Sequence, residues 1–182
     1  MLDRDGVINR DSAAYVKSAT EWHALPGSLA AIARLSREGF AVIVVTNQSA
    51  VGRGLVTVDT LDAIHAQMRR EVEAAGGRLA GIYYCPHRPD EGCDCRKPAP
   101  GLLRRIEREH DVSLRGVPMI GDKLSDLRAA LRVDARPILV LTGYGEDTRT
   151  RLGELGDAAQ RVEVFPDLAA AVAGLLDERA SS

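Results

Sequence analysis

Five short segments carry side chains whose types and spacing could do chemistry together. Asp3-Arg4-Asp5-Gly6-Val7 sets two carboxylates two residues apart. At the end of a strand such residues point to the same side, so both can face one cleft, and Gly6 permits the sharp turn that follows. One carboxylate can attack an electrophile while its less solvated neighbour carries a proton. Thr46-Asn47 follows an apolar run directly, offering a hydroxyl and free backbone N–H groups to phosphate oxygens. Arg96-Lys97 supplies two cations just ahead of Pro98 and a helix, and Gly121-Asp122-Lys123-Leu124-Ser125-Asp126 puts a carboxylate at the tip of a short strand. Taken singly, each has a plainer reading: solvated turn carboxylates, a turn stabilised by Asn, an exposed charge pair, a helix capped by Asp122 or Ser125.

The fifth segment holds all three cysteines, Cys85, Cys93 and Cys95, within eleven residues, with His87 between them. An odd number crowded into one loop makes a poor disulfide framework. Three sulfurs and one imidazole are what a closed tetrahedral zinc site uses. The spacing is not the usual C-x2-C, and a Cys-x-Cys pair also suits a redox or merely buried role, so the residues alone leave both readings open.

The elements that must position these segments alternate along the chain. Residues 40–46 (FAVIVVT) form the continuous apolar run of a strand buried on both faces. Further strands are expected at 82–85, 117–120, 137–142 and 162–165. Helices are expected at 28–38, 57–75 (capped by Thr57), 101–110, 125–132, 148–155 and 167–178 (capped by Asp167), with 179–182 a frayed tail. This predicts an α/β fold, a Rossmann-like parallel sheet flanked by helices on both faces. Ligands of such sheets bind beyond the carboxyl ends of the strands, where the segments above fall. At 182 residues, with 45% apolar and 27% charged residues and no internal repeat or linker tract, residues 1–182 read as one domain. A net charge of −2 excludes a general polyanion binder, so no nucleic-acid partner is expected. The most apolar runs, 40–45 and 168–176, are shorter than the roughly 18 residues of a spanning helix, and charge begins at Asp3. No membrane partner is expected, and the compartment is expected to be cytoplasmic.

The order DxDGV, TN, RK and GDxxxD across almost the whole chain resembles the haloacid dehalogenase-like (HAD) phosphatase superfamily. The resemblance implies a HAD-like fold and an Mg²⁺-dependent phosphoric monoester hydrolase working through an aspartyl phosphate. Asp3 would be the nucleophile, Asp5 the general acid/base, and Thr46 and Lys97 the residues that hold the phosphoryl group. Mg²⁺ would be bound by Asp3, the backbone carbonyl of Asp5, and Asp122. The charges agree: an anionic ester and an Asp nucleophile repel each other unless cations intervene. CPHxP followed by CxCRKPxPG further resembles the zinc loop of the heptose-bisphosphate phosphatases. It implies structural Zn²⁺ on Cys85, His87, Cys93 and Cys95 (loop 85–95), bracing Arg96 and Lys97. The group's substrate contacts map to Asp11, Ser12, Ala13, Ala14, Asn47, Gln48, Ser49, Arg96 and Lys123. Its activity would be removal of the carbon-7 phosphate of a heptose 1,7-bisphosphate, in making nucleotide-activated heptose for lipopolysaccharide or another surface glycan.

Histidinol-phosphate phosphatases carry a similar loop and are the rival. The Pro100-Gly101-Leu102 continuation and residues 15–29, with Trp22, favour the heptose group. Trp22 itself reads as a packing residue rather than a sugar platform. A phospho-acceptor signalling domain would need neither a second Asp nor a zinc loop. An inactive zinc-braced binding module is disfavoured by the complete set Asp3, Asp5, Thr46, Lys97 and Asp122. No large cap domain has room, so the site is expected to be open, in a monomer acting on a small sugar bisphosphate. His23, His65 and His110 have no nameable partners and are assigned to surface or helix positions. Only Met1 and Leu2 precede Asp3, where the superfamily has a full central strand, so the natural protein is expected to begin several residues upstream.

Overall fold

Val42–Asn47 forms strand β1, and its side chains alternate between two apolar layers. Val44 packs with Ile32, Leu35, Ile64 and Met68, whereas Ile43 and Val45 pack with Leu103, Ile106 and Met119. Burial on both faces is why this strand reads as an unbroken apolar run. The computed structural model describes residues 1–181. The remaining strands are β2 (Leu79–Cys85), β3 (Pro118–Gly121), β4 (Arg136–Val140) and β5 (Glu163–Phe165). The helices are α1 (Ser28–Arg37), α2 (Ser49–Gly52), α3 (Val58–Ala74), α4 (Gly101–His110), α5 (Leu124–Leu131), α6 (Gly145–Thr150) and α7 (Leu168–Ala180).

Strand pairing is parallel throughout: β1 with β2, and β3 with β4 and then β5. The two groups are joined by Leu2, which bridges Val44 on one side and Ile120 on the other. Leu2 N–H donates to Ile43 O (2.9 Å), Val45 N–H to Leu2 O (2.8 Å), Asp3 N–H to Ile120 O (2.9 Å) and Ile120 N–H to Met1 O (3.0 Å). Met1, Leu2 and Asp3 thus pair the middle of the sheet, and they put Asp3 at its carboxyl edge. Helices α1, α3 and α7 cover one face, and α4 and α5 the other. Each core aliphatic side chain contributes about 2 kcal/mol on burial. The caps expected at Thr57 and Asp167 are present, accepting from Thr60 N–H and Ala170 N–H.

Three expectations are corrected. The helix expected at 148–155 is α6 followed by a 3-10 stretch, Leu152–Arg161, broken at Gly156. At Gly145, the first residue of α6, a Cβ would lie only 1.9 Å from Val140 O, so the position admits only glycine. The tail at 179–182 is not frayed at its start: Arg179 lies within α7, donates to Glu38 O (2.8 Å) and covers the Phe40 ring; Ser182 lies outside the described residues. His65 and His110 lie in helices α3 and α4 as expected, but they have partners: buried His65 lies 3.3 Å from Arg4 Nη1, and His110 lies 3.1 Å from the Tyr83 hydroxyl. Trp22, 2% exposed, packs in the core as expected.

Candidate active site

The carboxyl end of β1, the segments that follow β2 and β3, and the turn after Asp3 enclose a cleft of about 390 Å³. Asp3, 5% exposed, lies on its floor. Its Oδ1 accepts the Arg4 N–H (2.7 Å) and pairs with Lys97 Nζ (2.9 Å). Lys97 is itself 3% exposed and also reaches Asp126 Oδ1 (2.6 Å) and Val45 O (2.7 Å). Burial alone would lower the Lys97 pKa, but Asp126 and Asp3 outweigh it and hold the ammonium charged. Asn47 fixes the Lys97 backbone from both sides: its Nδ2 donates to Lys97 O and its Oδ1 accepts Lys97 N–H, each at 3.0 Å. The last residue of β1 thus aims a cation carried by the segment before α4.

Asp5 is clasped by its neighbours. Arg4 Nη2 bonds both of its oxygens at 2.9 Å, Asn9 Nδ2 donates to Oδ1 (2.9 Å) and Gln48 Nε2 to Oδ2 (2.8 Å). Burial would raise its pKa, but the Arg4 charge and these hydrogen bonds win and hold the carboxyl below its ordinary value. Gln48 Nε2 also donates to the hydroxyl of buried Thr46 (2.9 Å), tying the two candidates together.

Asp122 stands behind Asp3, wedged between two glycines. A Cβ on Gly6 or Gly143 would lie about 2 Å from Asp122 Oδ2, and both glycines have positive φ (85° and 59°). Oδ2 accepts Tyr144 N–H (2.9 Å), whereas Oδ1 is buried with no partner. Burial first, then the charge of Asp3, pushes the Asp122 pKa up to about 8. Carboxylate oxygens of Asp3, Asp122 and Asp126 lie within 4.8 Å of one another. Asp126 is committed to Lys97 and to Lys123 N–H (3.0 Å), which leaves Asp3 and Asp122 to share a cation. An orphaned buried oxygen beside a second carboxylate is what an oxygen-coordinated divalent ion would satisfy, so these residues fit Mg²⁺.

Cys85, His87, Cys93 and Cys95 also converge. Their sulfur–sulfur distances are 3.2, 3.5 and 3.6 Å, and His87 Nδ1 lies 3.2 Å from Cys95 Sγ and 3.5 Å from Cys85 Sγ. A tetrahedron with Zn–S bonds of about 2.3 Å has edges of about 3.8 Å. The sulfurs are too far apart for disulfides and crowded for uncoordinated thiols, so they fit zinc. The loop ends at Arg96 and Lys97, and the N–H of Gly52, the last residue of α2, donates to Pro86 O at 2.9 Å, docking the loop there.

Of the expected substrate contacts, Asp11, Ser12, Ala13, Asn47, Gln48, Ser49, Arg96 and Lys123 line the cleft. Ala14 does not: it is exposed, and its N–H donates to Ser12 Oγ (3.2 Å). Lys123 Nζ bonds Asp11 Oδ2 (2.7 Å) and lies 4.7 Å from the Tyr144 ring centre. Arg4, Asp126 and Arg53 also line the cleft, beyond the contacts expected from the sequence. Arg53 is exposed at the cleft wall, and its only signal was a cation a few residues after TN. Only a 3-10 turn and α1 lie between Asp5 and β1, and only the cysteine loop and its continuation lie between β2 and α4, so among the described residues no large cap covers the cleft.

Residues 94–171 match a family model described as HAD-hydrolase-like. The chain is 51% identical over 170 residues to the D-glycero-β-D-manno-heptose-1,7-bisphosphate 7-phosphatase of Pseudomonas putida, covering 93% of this chain and 94% of that one. It is 50% identical over 178 residues to the enzyme of that name from Bordetella bronchiseptica, covering 98% and 97%. A crystal structure of D,D-heptose 1,7-bisphosphate phosphatase from B. bronchiseptica, complexed with magnesium and phosphate, superposes with a TM-score of 0.92 at 50% identity, covering 97% of each chain. The chain belongs to the D-glycero-β-D-manno-heptose-1,7-bisphosphate 7-phosphatase family of HAD-like hydrolases.

Proposed function

We propose that this protein hydrolyses the carbon-7 phosphate of D-glycero-β-D-manno-heptose 1,7-bisphosphate, releasing phosphate and heptose 1-phosphate for nucleotide-activated heptose synthesis. The observation that carries this reading is Asp3 on the cleft floor, paired with the Lys97 ammonium and within 4.8 Å of the carboxylate of Asp122, which has a buried oxygen without a partner. The anomer follows the names of the relatives.

Asp3 Oδ1 is engaged by Arg4 and Lys97, so Oδ2 is the oxygen left to attack phosphorus. The new bond makes an aspartyl phosphate while the bond from phosphorus to the carbon-7 oxygen breaks. Asp5 gives its proton to that oxygen, so the sugar leaves as an alcohol. Asp5 stands ionised against Arg4, and the approach of an anionic phosphate favours its taking up the proton it then donates. In the second half Asp5 accepts a proton from water, which attacks phosphorus; phosphate departs and Asp3 is restored. Thr46 and Lys97 hold the phosphoryl oxygens, and Lys97 offsets charge that grows there in the transition state. Mg²⁺, held by Asp3, Asp122 and the carbonyl of Asp5, would screen the repulsion between nucleophile and ester. Zn²⁺ on Cys85, His87, Cys93 and Cys95 would leave no open position and act as a brace.

The primary ester at carbon 7 is the slender end that can reach Asp3. The ring and the carbon-1 phosphate then remain at the rim with Arg96, a planar fork suited to phosphate oxygens. Each of these residues comes from one chain, so a monomer suffices. No helix among the described residues is long and apolar enough to cross a membrane, and we place the reaction in the cytoplasm. Phosphate release over a panel of sugar mono- and bisphosphates and histidinol phosphate, with Mg²⁺ present, tests the proposal: heptose 1,7-bisphosphate should be turned over best. Preference for histidinol phosphate would overturn it.

A further inference from the structure

Arg4 is 1% exposed although it carries a charge and five N–H donors. One side of its guanidinium closes on Asp5, with Nη2 on both carboxylate oxygens and Nε 3.2 Å from Oδ1. On the other side, Nη1 lies 3.3 Å from Nε2 of His65. A guanidinium accepts no hydrogen bond, so Nε2 must be the acceptor and the ring proton must sit on Nδ1. Burial, reinforced by the Arg4 charge, lowers the His65 pKa to about 3, leaving the imidazole in its accepting, neutral form.

His65 is the one polar member of the buried stripe of α3, between Ile64 and Met68, with its ring centre 5.6 Å from that of Tyr84. It does not line the cleft, so its route to the chemistry runs through Arg4. The guanidinium is planar and shares three contacts with Asp5, so turning it turns the carboxylate. His65 holds the end that Asp5 does not.

We propose that His65 is a positioning residue that, through Arg4, fixes the orientation of the Asp5 carboxylate toward the leaving oxygen. The inference rests on Asp5 being the proton carrier, as proposed above. An alkoxide leaving group needs that proton, whereas p-nitrophenolate departs without it. Loss of the acceptor at position 65 therefore penalises the two esters unequally, and a general loss of fold would not.

The test compares kcat/KM, which reports the steps through phosphoryl transfer, for heptose 1,7-bisphosphate and p-nitrophenyl phosphate. His65→Leu should lower the sugar value about tenfold and leave the nitrophenyl value within about twofold. His65→Gln, whose side-chain oxygen can accept from Nη1, should recover most of the loss. An unchanged ratio of the two values in His65→Leu, or no recovery in His65→Gln, overturns the inference while wild-type turnover of both esters keeps the parent reading intact. A wild-type protein inactive on the sugar ester removes both. Should leucine unfold the protein, imidazole ¹⁵N spectra of the intact chain decide: an unprotonated Nε2 supports the tether, and an Nε2–H contradicts it.

Discussion

Lys97 Nζ lies 2.9 Å from Asp3 Oδ1, and both side chains are almost wholly withdrawn from water. The same ammonium serves Asp126, so the two ends of the pair are not equivalent. Asp3→Asn leaves Lys97 with a carboxylate partner; the protein should stay folded and lose several orders of magnitude in turnover. Lys97→Met strands two buried carboxylates and should also cost about 3–5 kcal/mol of stability. Thermal melts beside turnover assays check both, and near-normal rates in folded Asp3→Asn would contradict the covalent mechanism.

Magnesium should stabilise the protein more at alkaline than at acidic pH. Asp122, at about 8, titrates well above the ordinary carboxylate value of 3.8. Without a metal the folded chain holds a proton that the unfolded chain releases, so this contribution to stability is full below about 4 and lost as pH rises through about 8. Mg²⁺ must displace that proton, so its gain grows over the same range. The rise in Tm on adding Mg²⁺ should be larger at pH 8 than at pH 6. An equal rise at both would argue against Asp122 as a ligand.

Much of this was legible in the sequence because the chemistry sits at strand ends that apolar runs mark out. Phe40 to Thr46 located β1, and DxDG, TN, RK and GDxxxD located the corners of the cleft. Contacts made by unlikely residues were not legible. Arg4, lying between two carboxylates, follows no strand alternation that would reveal its fold-back onto Asp5. His65 occupies an ordinary core position in α3, and its partner lies 61 residues away. Asn47 and Gln48 line the cleft, but their ties to Lys97, Asp5 and Thr46 are long-range contacts that no spacing in the sequence marks.

The purified protein should contain about one zinc per chain. Cys93→Ser should lower Tm and raise KM more than it lowers kcat, because the loop carries Arg96 and Lys97 to the cleft. Elemental analysis of freshly purified protein with reduced cysteines checks the first point. Zinc well below one per chain would contradict a structural site.

Arg96 should set the preference for bisphosphates. Its Nη1 is anchored on His87 O at 3.3 Å, and it lines the cleft beside the exposed Arg53. Arg96→Ala should reduce kcat/KM for heptose 1,7-bisphosphate about tenfold or more and leave monophosphates far less affected, since remote contacts orient the reacting end. A parallel loss on both substrates would point to disruption of the Lys97 segment instead.

Phosphorus NMR of the reaction on heptose 1,7-bisphosphate with Mg²⁺ reads out which phosphate is removed. The carbon-7 phosphate resonance should disappear into inorganic phosphate while the anomeric carbon-1 resonance persists. Loss of the anomeric resonance with carbon 7 intact, or no change in either, would contradict the account.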